Sequence, residues 1–461
     1  MGATLNVGLC IATLVVIVIV FNTDLLPLPA AWFRSWMLSF LYGPSFLLPV
    51  PLALPGNVTC QHHTRARLRR RWIHRRRPHS KLARALQRTQ LASDSSNCSA
   101  ARFSSFQFTL DEGLAVNLFK WTEAACEVSA RGNVLVALGP WIWRDGAFCG
   151  SDLRRTGLSW WRRFWNLPDL YPAGSFSTVP TSAMDCYFTQ ATQCPLPPTF
   201  DETLFFLGRY TERTLPDQTP PTKPYVEASA PFTVRGGEPL PEMCKKRWRV
   251  WASGVELLFH SLPAHMVAAA ECALQLAFGG AGAPPDMITV HIRWGDKSKE
   301  AALVSIDEYV GAVKAMVVKH KIRAYPTIFI TTEDPDAIKS FKRASPRHWV
   351  LRYDASAVGG AGQARIDTEG LWHYVESMLM STTATGARDT GGALGFHSIM
   401  SLLIALEAKY FVLTNSSNWS KLINLLRRVH VDVDCDSCTD VVVLGEPGSV
   451  GVSSMPRHLL H

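Results

Sequence analysis

From Met287 to Ile292 the chain reads MITVHI, an apolar run with the length and β-branched content of a covered strand. Charged groups begin where that strand would end: His291, Arg293, Asp296, Lys297 and Glu300 fall within ten residues. Thr327 to Thr331, His348 to Tyr353 and Tyr410 to Thr414 have the same character. Ile306, Val310, Val313 and Val317 recur at helical spacing after the first run, and WSKLINLLRRV does so after the last. Repeated β-then-α units predict a parallel sheet with helices on its faces. Upstream, DEGLAVNLFKWTEAACEVSARGNVLVAL predicts a turn at Gly113, a helix through Val116, Phe119 and Ala124, and a strand from Asn133 to Leu138. The Pro-rich stretch TERTLPDQTPPTKPYVEASAPFTVRGGEPLPEM separates the two patterns, which puts a domain boundary near residue 240, between 101–240 and 241–461.

Before residue 101 the pattern changes. Leu5 to Phe21 is seventeen residues without a charge, near the lower limit for crossing a bilayer, and 1–24 is read as a signal anchor, with a cleaved signal peptide ending near Ala30 as the other reading. Residues 25–100, rich in Pro, Arg, Ser and His, are read as a largely disordered stem. The formal charge of +9 is local to this stem: 11 Lys/Arg lie between Arg65 and Arg88, and the rest of the chain holds 36 basic against 38 acidic residues. A lumenal address would keep nucleic acid away from that cluster. Ten cysteines outside the anchor can form up to five disulfides in an oxidising compartment, and CDSC at Cys435–Cys438 is read as disulfide-forming rather than as half a zinc site. Sequons start at Asn57, Asn97, Asn415 and Asn418.

In a parallel sheet the tails HIRWGDK, TTEDPD and TNSSNWS would converge along one edge, where α/β folds bind ligands. Arg293 offers a planar fork for phosphate oxygens. Asn415, Ser416 and Ser417 precede a helix whose free N–H groups favour an anion. Asp296, Glu300, Glu333 and Asp334 supply acceptors for sugar hydroxyls and a general base. The convergence points to a phosphorylated ligand.

HIRWGDK, EAALVSIDEY, ITTEDPDAIKSFK and YFVLTNSSNW together resemble the motifs of the GT-B fucosyltransferase superfamily, most closely the α1,6-fucosyltransferases that modify the N-glycan core. The similarity spans His291 to Arg428. It implies two Rossmann-like domains facing a cleft, an acceptor-side domain at 101–240 and a nucleotide-sugar domain at 241–461. It also implies a type II Golgi membrane protein that transfers fucose from GDP-fucose with inversion, without a metal or other cofactor. By the resemblance, Glu300 matches the catalytic base with Lys297 its charged neighbour, and Arg293 matches the β-phosphate ligand. His291 matches a histidine near the nucleotide, Asp334 and Tyr309 match cleft residues, and Ser416 and Ser417 match serines beside the diphosphate. The chain departs from the family at Trp294, where a second arginine is usual, and at Ser401, where the family has a guanine-reading aspartate that Asp389 or Glu407 would have to replace. These departures keep open a related transferase with another donor or an O-linked acceptor, and an inactive lumenal binding protein. The aromatic run GLSWWRRFWNL in the acceptor-side domain could stack on sugar faces or form a structural cluster.

Overall fold

Each of the four apolar runs in the C-terminal half folds as a strand, and DVVVL, not anticipated, adds a fifth. The structure is a computed structural model that describes residues 72, 78–90, 103–108, 112–138, 141–145, 184–188, 212–213, 242–260, 262–278, 282–295, 302–322, 324–354, 384, 386–387, 390, 392–433, 435 and 438–445. All of them belong to one unit spanning 48–461. The run Leu5 to Phe21, the sequons at Asn57 and Asn97 and the aromatic run GLSWWRRFWNL lie outside the described residues. No helix among the described residues is long and apolar enough to cross a membrane.

In chain order the elements are α1 (Lys81–Gln90), β1 (Phe103–Gln107), α2 (Leu114–Ala130), β2 (Val134–Leu138), β3 (Glu212–Arg213), α3 (Arg247–Leu258) and α4 (Ala264–Phe278). They continue with β4 (Ile288–His291), α5 (Ile306–Lys319), β5 (Thr327–Thr331), α6 (Pro335–Ala344), β6 (Val350–Tyr353), α7 (Ala393–Ala405), β7 (Tyr410–Thr414), α8 (Asn418–Leu426) and β8 (Asp440–Leu444). The larger sheet has the order β6-β5-β4-β7-β8 with every pair parallel. Strand order therefore reverses between β4 and β7, which makes the C-terminal ends of those two strands a topological switch point of a Rossmann-like sheet.

Strand alternation divides the sheet's side chains between two layers. Ile288, Val290, Ile328, Ile330, Tyr410 and Val412 bury themselves with Tyr309, Val310 and Val313 of α5 and Ile338 and Phe341 of α6. On the opposite face the Thr289 hydroxyl donates to the Ala405 carbonyl of α7 at 2.8 Å, and Phe329 meets Phe278 of α4. Capping side chains set two helix starts. Ser305 and Glu308 form a capping box at α5, and Asp334 caps α6 ahead of Pro335.

The smaller sheet pairs β1 with β2 in parallel and with β3 in antiparallel sense. Helix α2 crosses α3 at Gly254, where any Cβ would lie 2.2 Å from the Thr122 side chain, and Cys126–Cys244 joins α2 to the turn before α3. Cys186, Cys272, Cys435 and Cys438 are disulfide-bonded as well, the last two to each other. The segment read as stem contributes α1 to this packing. Ala83 and Leu86 are fully buried, and the Glu256 carboxylate of α3 accepts from the His79 and Ser80 N–H groups at the start of α1. The arginines around α1 mask this apolar face in the sequence.

Candidate functional site

The switch point is held by side chains that β4 and β7 place one above the other. The Thr414 hydroxyl donates to the His291 carbonyl at 3.1 Å, and the Tyr309 hydroxyl lies 2.5 Å from Thr414 Oγ1 while accepting from the Arg293 backbone. The Thr414 N–H donates to Ser420 Oγ at 2.9 Å, and Ser420 Oγ pairs with His291 Nδ1 at 2.7 Å. His291 is 3% exposed, and burial together with the neighbouring Arg293 charge pushes its imidazole down to about 3, so the ring is neutral. Burial raises the Tyr309 hydroxyl above the ordinary tyrosine range.

Past this network the chain turns toward the strand-end edge. The Arg293 guanidinium is ion-paired with Glu333, which follows β5, and donates to the Trp294 carbonyl at 2.9 Å. Trp294 replaces the expected second cation with a structural anchor: its indole N–H donates to the Val304 carbonyl at 3.0 Å and its ring packs on the core beneath α5. Beyond β7, Ser417 is the N-cap of α8 and accepts from the Ser420 N–H at 3.4 Å, and no acidic residue occupies the first turn of that helix. A planar cation and a helix N-terminus thus flank the β4–β7 boundary, an arrangement suited to an anionic group.

The predicted residues meet different fates. His291, Arg293, Ser416 and Ser417 come together at the ends of β4 and β7. Tyr309 is fully buried, with its hydroxyl engaged by Thr414. One oxygen of Asp334 accepts from the Asp336 and Ala337 N–H groups, so that carboxylate caps α6. Asp296, Lys297, Glu300 and Asp389 lie outside the described residues. Ser401 is buried midway along α7. Glu407 follows α7 beside Lys409, whose N–H bonds the Met287 carbonyl ahead of β4. It therefore sits at the N-terminal edge of the sheet, opposite the strand ends, where it cannot stand in for a base-reading carboxylate.

Sequence reasoning missed Ser420 and Thr414, which look in sequence like a helix surface position and the last residue of a strand. It also missed Thr331, whose buried hydroxyl has no hydrogen-bond partner among the described residues and which stands level with His291 across the β4–β5 pair. No protein-family model matches the chain, and no curated protein is significantly similar to it.

Proposed function

We propose that the chain is an inverting glycosyltransferase that transfers fucose from GDP-fucose to a glycan of the N-glycan core type, as a single-pass Golgi membrane protein with a lumenal body. The observation that supports this most is the meeting of Arg293, His291 and the α8 N-terminus at the switch point of a parallel sheet. There the diphosphate would lie against the guanidinium and the first-turn N–H groups of α8, which stabilise the charge that develops as the sugar–phosphate bond breaks. By the resemblance, Glu300 is the base that accepts the proton of the acceptor hydroxyl as that oxygen attacks the anomeric carbon from the face opposite the diphosphate, with Lys297 matching its charged neighbour. The neutral His291 ring adds no charge and fixes the end of β4 through Ser420. Arg293 has to exchange or share Glu333 when the donor arrives, so donor binding carries the cost of loosening that ion pair.

The test is a transfer assay with the full chain in detergent, a panel of nucleotide sugars, and a glycopeptide exposing an N-glycan core. Transfer from GDP-fucose alone, reduced about a hundredfold or more in Glu300→Gln with donor binding kept, is the expected result. Transfer from a different nucleotide sugar, or from none, would overturn the reading.

A further inference from the structure

The loop between α8 and β8 is closed twice. Helix α8 continues into a π-helical turn, Arg427–Val431, and the chain then passes through Asp432, Cys435, Cys438 and Thr439 before β8 begins at Asp440. The first closure is polar. The buried Arg427 guanidinium is ion-paired with Asp432 and donates to Thr439 Oγ1 at 2.6 Å, while the Thr439 hydroxyl donates to the Asp432 carboxylate at 2.8 Å. Asn424 Oδ1 of α8 accepts from two nitrogens of the same guanidinium, at 3.2 and 2.9 Å, which fixes the cation on the helix. Backbone bonds add to this: the Asp432 N–H donates to the Arg427 carbonyl at 2.8 Å, and the Cys435 N–H to the Asp432 carbonyl at 3.2 Å. Past the loop, the Asp440 N–H donates to the Lys409 carbonyl at 3.1 Å, and β8 pairs with β7 along its whole length.

The second closure is the Cys435–Cys438 disulfide, whose ends are only three positions apart. Cross-linking so short a loop removes little freedom from the unfolded chain, and the Arg427–Asp432–Thr439 network already holds the loop ends in the native state. Cys126–Cys244 is of the opposite kind: it joins positions 118 residues apart, and both of its cysteines are buried. Cys438 is exposed and Cys435 half-buried, so a thiolate can approach the bond from solvent. An Asp432 oxygen and the two sulfurs lie within 4.8 Å of one another, a grouping that could hold a thiophilic cation once the sulfurs are reduced. Both oxygens of Asp432 are engaged by Thr439, and one of them also by Arg427, so the arrangement favours sulfur exchange over metal binding.

We propose that Cys435–Cys438 is a thiol–disulfide exchange site that accepts electrons from low-molecular-weight thiols of the glutathione type while the fold stays intact. The exposed Cys438 sulfur is the point of attack. As an incoming thiolate bonds to Cys438 Sγ, the Cys435–Cys438 bond breaks and its electron pair leaves on Cys435 Sγ, which takes a proton from water. A second thiolate then attacks the small thiol's sulfur in the mixed disulfide, and Cys438 departs as a thiolate and is protonated in turn. Two thiols become one disulfide, and the cysteine pair gains two electrons and two protons. The same steps in reverse restore the cross-link. This goes beyond the transferase reading and does not depend on it.

The test equilibrates the full chain, without denaturant, in buffers of rising reduced-to-oxidised glutathione ratio, then alkylates free thiols after an acid quench and locates them by peptide mass. Cys435 and Cys438 should become alkylated together, at a ratio about a hundredfold or more below that needed for Cys126 and Cys244. Protein reduced only at the loop should keep the urea midpoint of the oxidised chain. In Cys435→Ser, the remaining Cys438 should form a mixed disulfide with glutathione about tenfold or more faster than Cys435 does in Cys438→Ser. The wild-type titration needs neither variant to fold. Opening of the loop disulfide only together with Cys126–Cys244, or with loss of the urea midpoint, would make it a structural cross-link and overturn the proposal. Alkylation of both loop cysteines even in the most oxidising buffer would overturn it as well. Faster capture at Cys435 than at Cys438 would overturn the assigned point of attack.

Discussion

Ser420→Ala probes whether the β4–β7 junction is built as described. The Ser420 hydroxyl pairs with His291 Nδ1 at 2.7 Å and accepts from the Thr414 N–H at 2.9 Å, and all three residues are at least 96% buried. Alanine leaves almost no cavity, so the loss is polar: two buried groups lose their partner, at roughly 1–3 kcal/mol each. Alanine regains about 0.5 kcal/mol as the better helix former inside α8. The net destabilisation is about 2–5 kcal/mol, against about 0.5 kcal/mol for a control such as Ser340→Ala on the surface of α6. Urea unfolding of both variants, compared at matched slope, gives the difference directly. Because the freed His291 ring sits at the end of β4, pyrophosphate affinity should fall with stability. A Ser420→Ala variant within 0.5 kcal/mol of wild type would refute the junction, since no other group among the described residues satisfies both partners.

Arg293→Lys keeps a charge but loses the planar fork, so donor affinity and turnover should drop tenfold or more while the melting temperature changes little; titration and single-turnover kinetics separate the two. Cys126→Ser opens a cross-link between positions 118 residues apart and should destabilise the body by as much as about 5 kcal/mol, read from denaturant unfolding under non-reducing conditions. His291 is neutral in the native state down to about pH 3, whereas the unfolded chain takes up its proton near pH 6.5. The unfolded state then binds the extra proton, so stability falls as pH drops through 6.5, by about 2 kcal/mol between pH 7 and pH 5. That share of the acid sensitivity should vanish in His291→Asn.

The larger sheet was legible because β4, β5, β6 and β7 are short β-branched runs followed by helical spacing. DVVVL escaped notice behind the CDSC motif, and at the sheet edge Asp440, Val442 and Val443 are only partly buried. Helix α7, ALGFHSIMSLLIA, is apolar on every side, as a helix buried between a sheet and α4 must be, so no period marks it. Arg293 and the Ser417 cap were readable from local chemistry alone. The engagement of Glu333 with Arg293 and of Tyr309 with Thr414 depends on long-range packing, and neither pairing leaves a trace in spacing.

The most direct test of the central claim is a crystal structure of the chain with GDP bound. The account predicts the β-phosphate within hydrogen-bond reach of the Arg293 guanidinium and of the first-turn N–H groups of α8, with Glu333 drawn away from Arg293. Density for GDP at any other edge of the sheet, or a diphosphate that touches neither Arg293 nor α8, would contradict it.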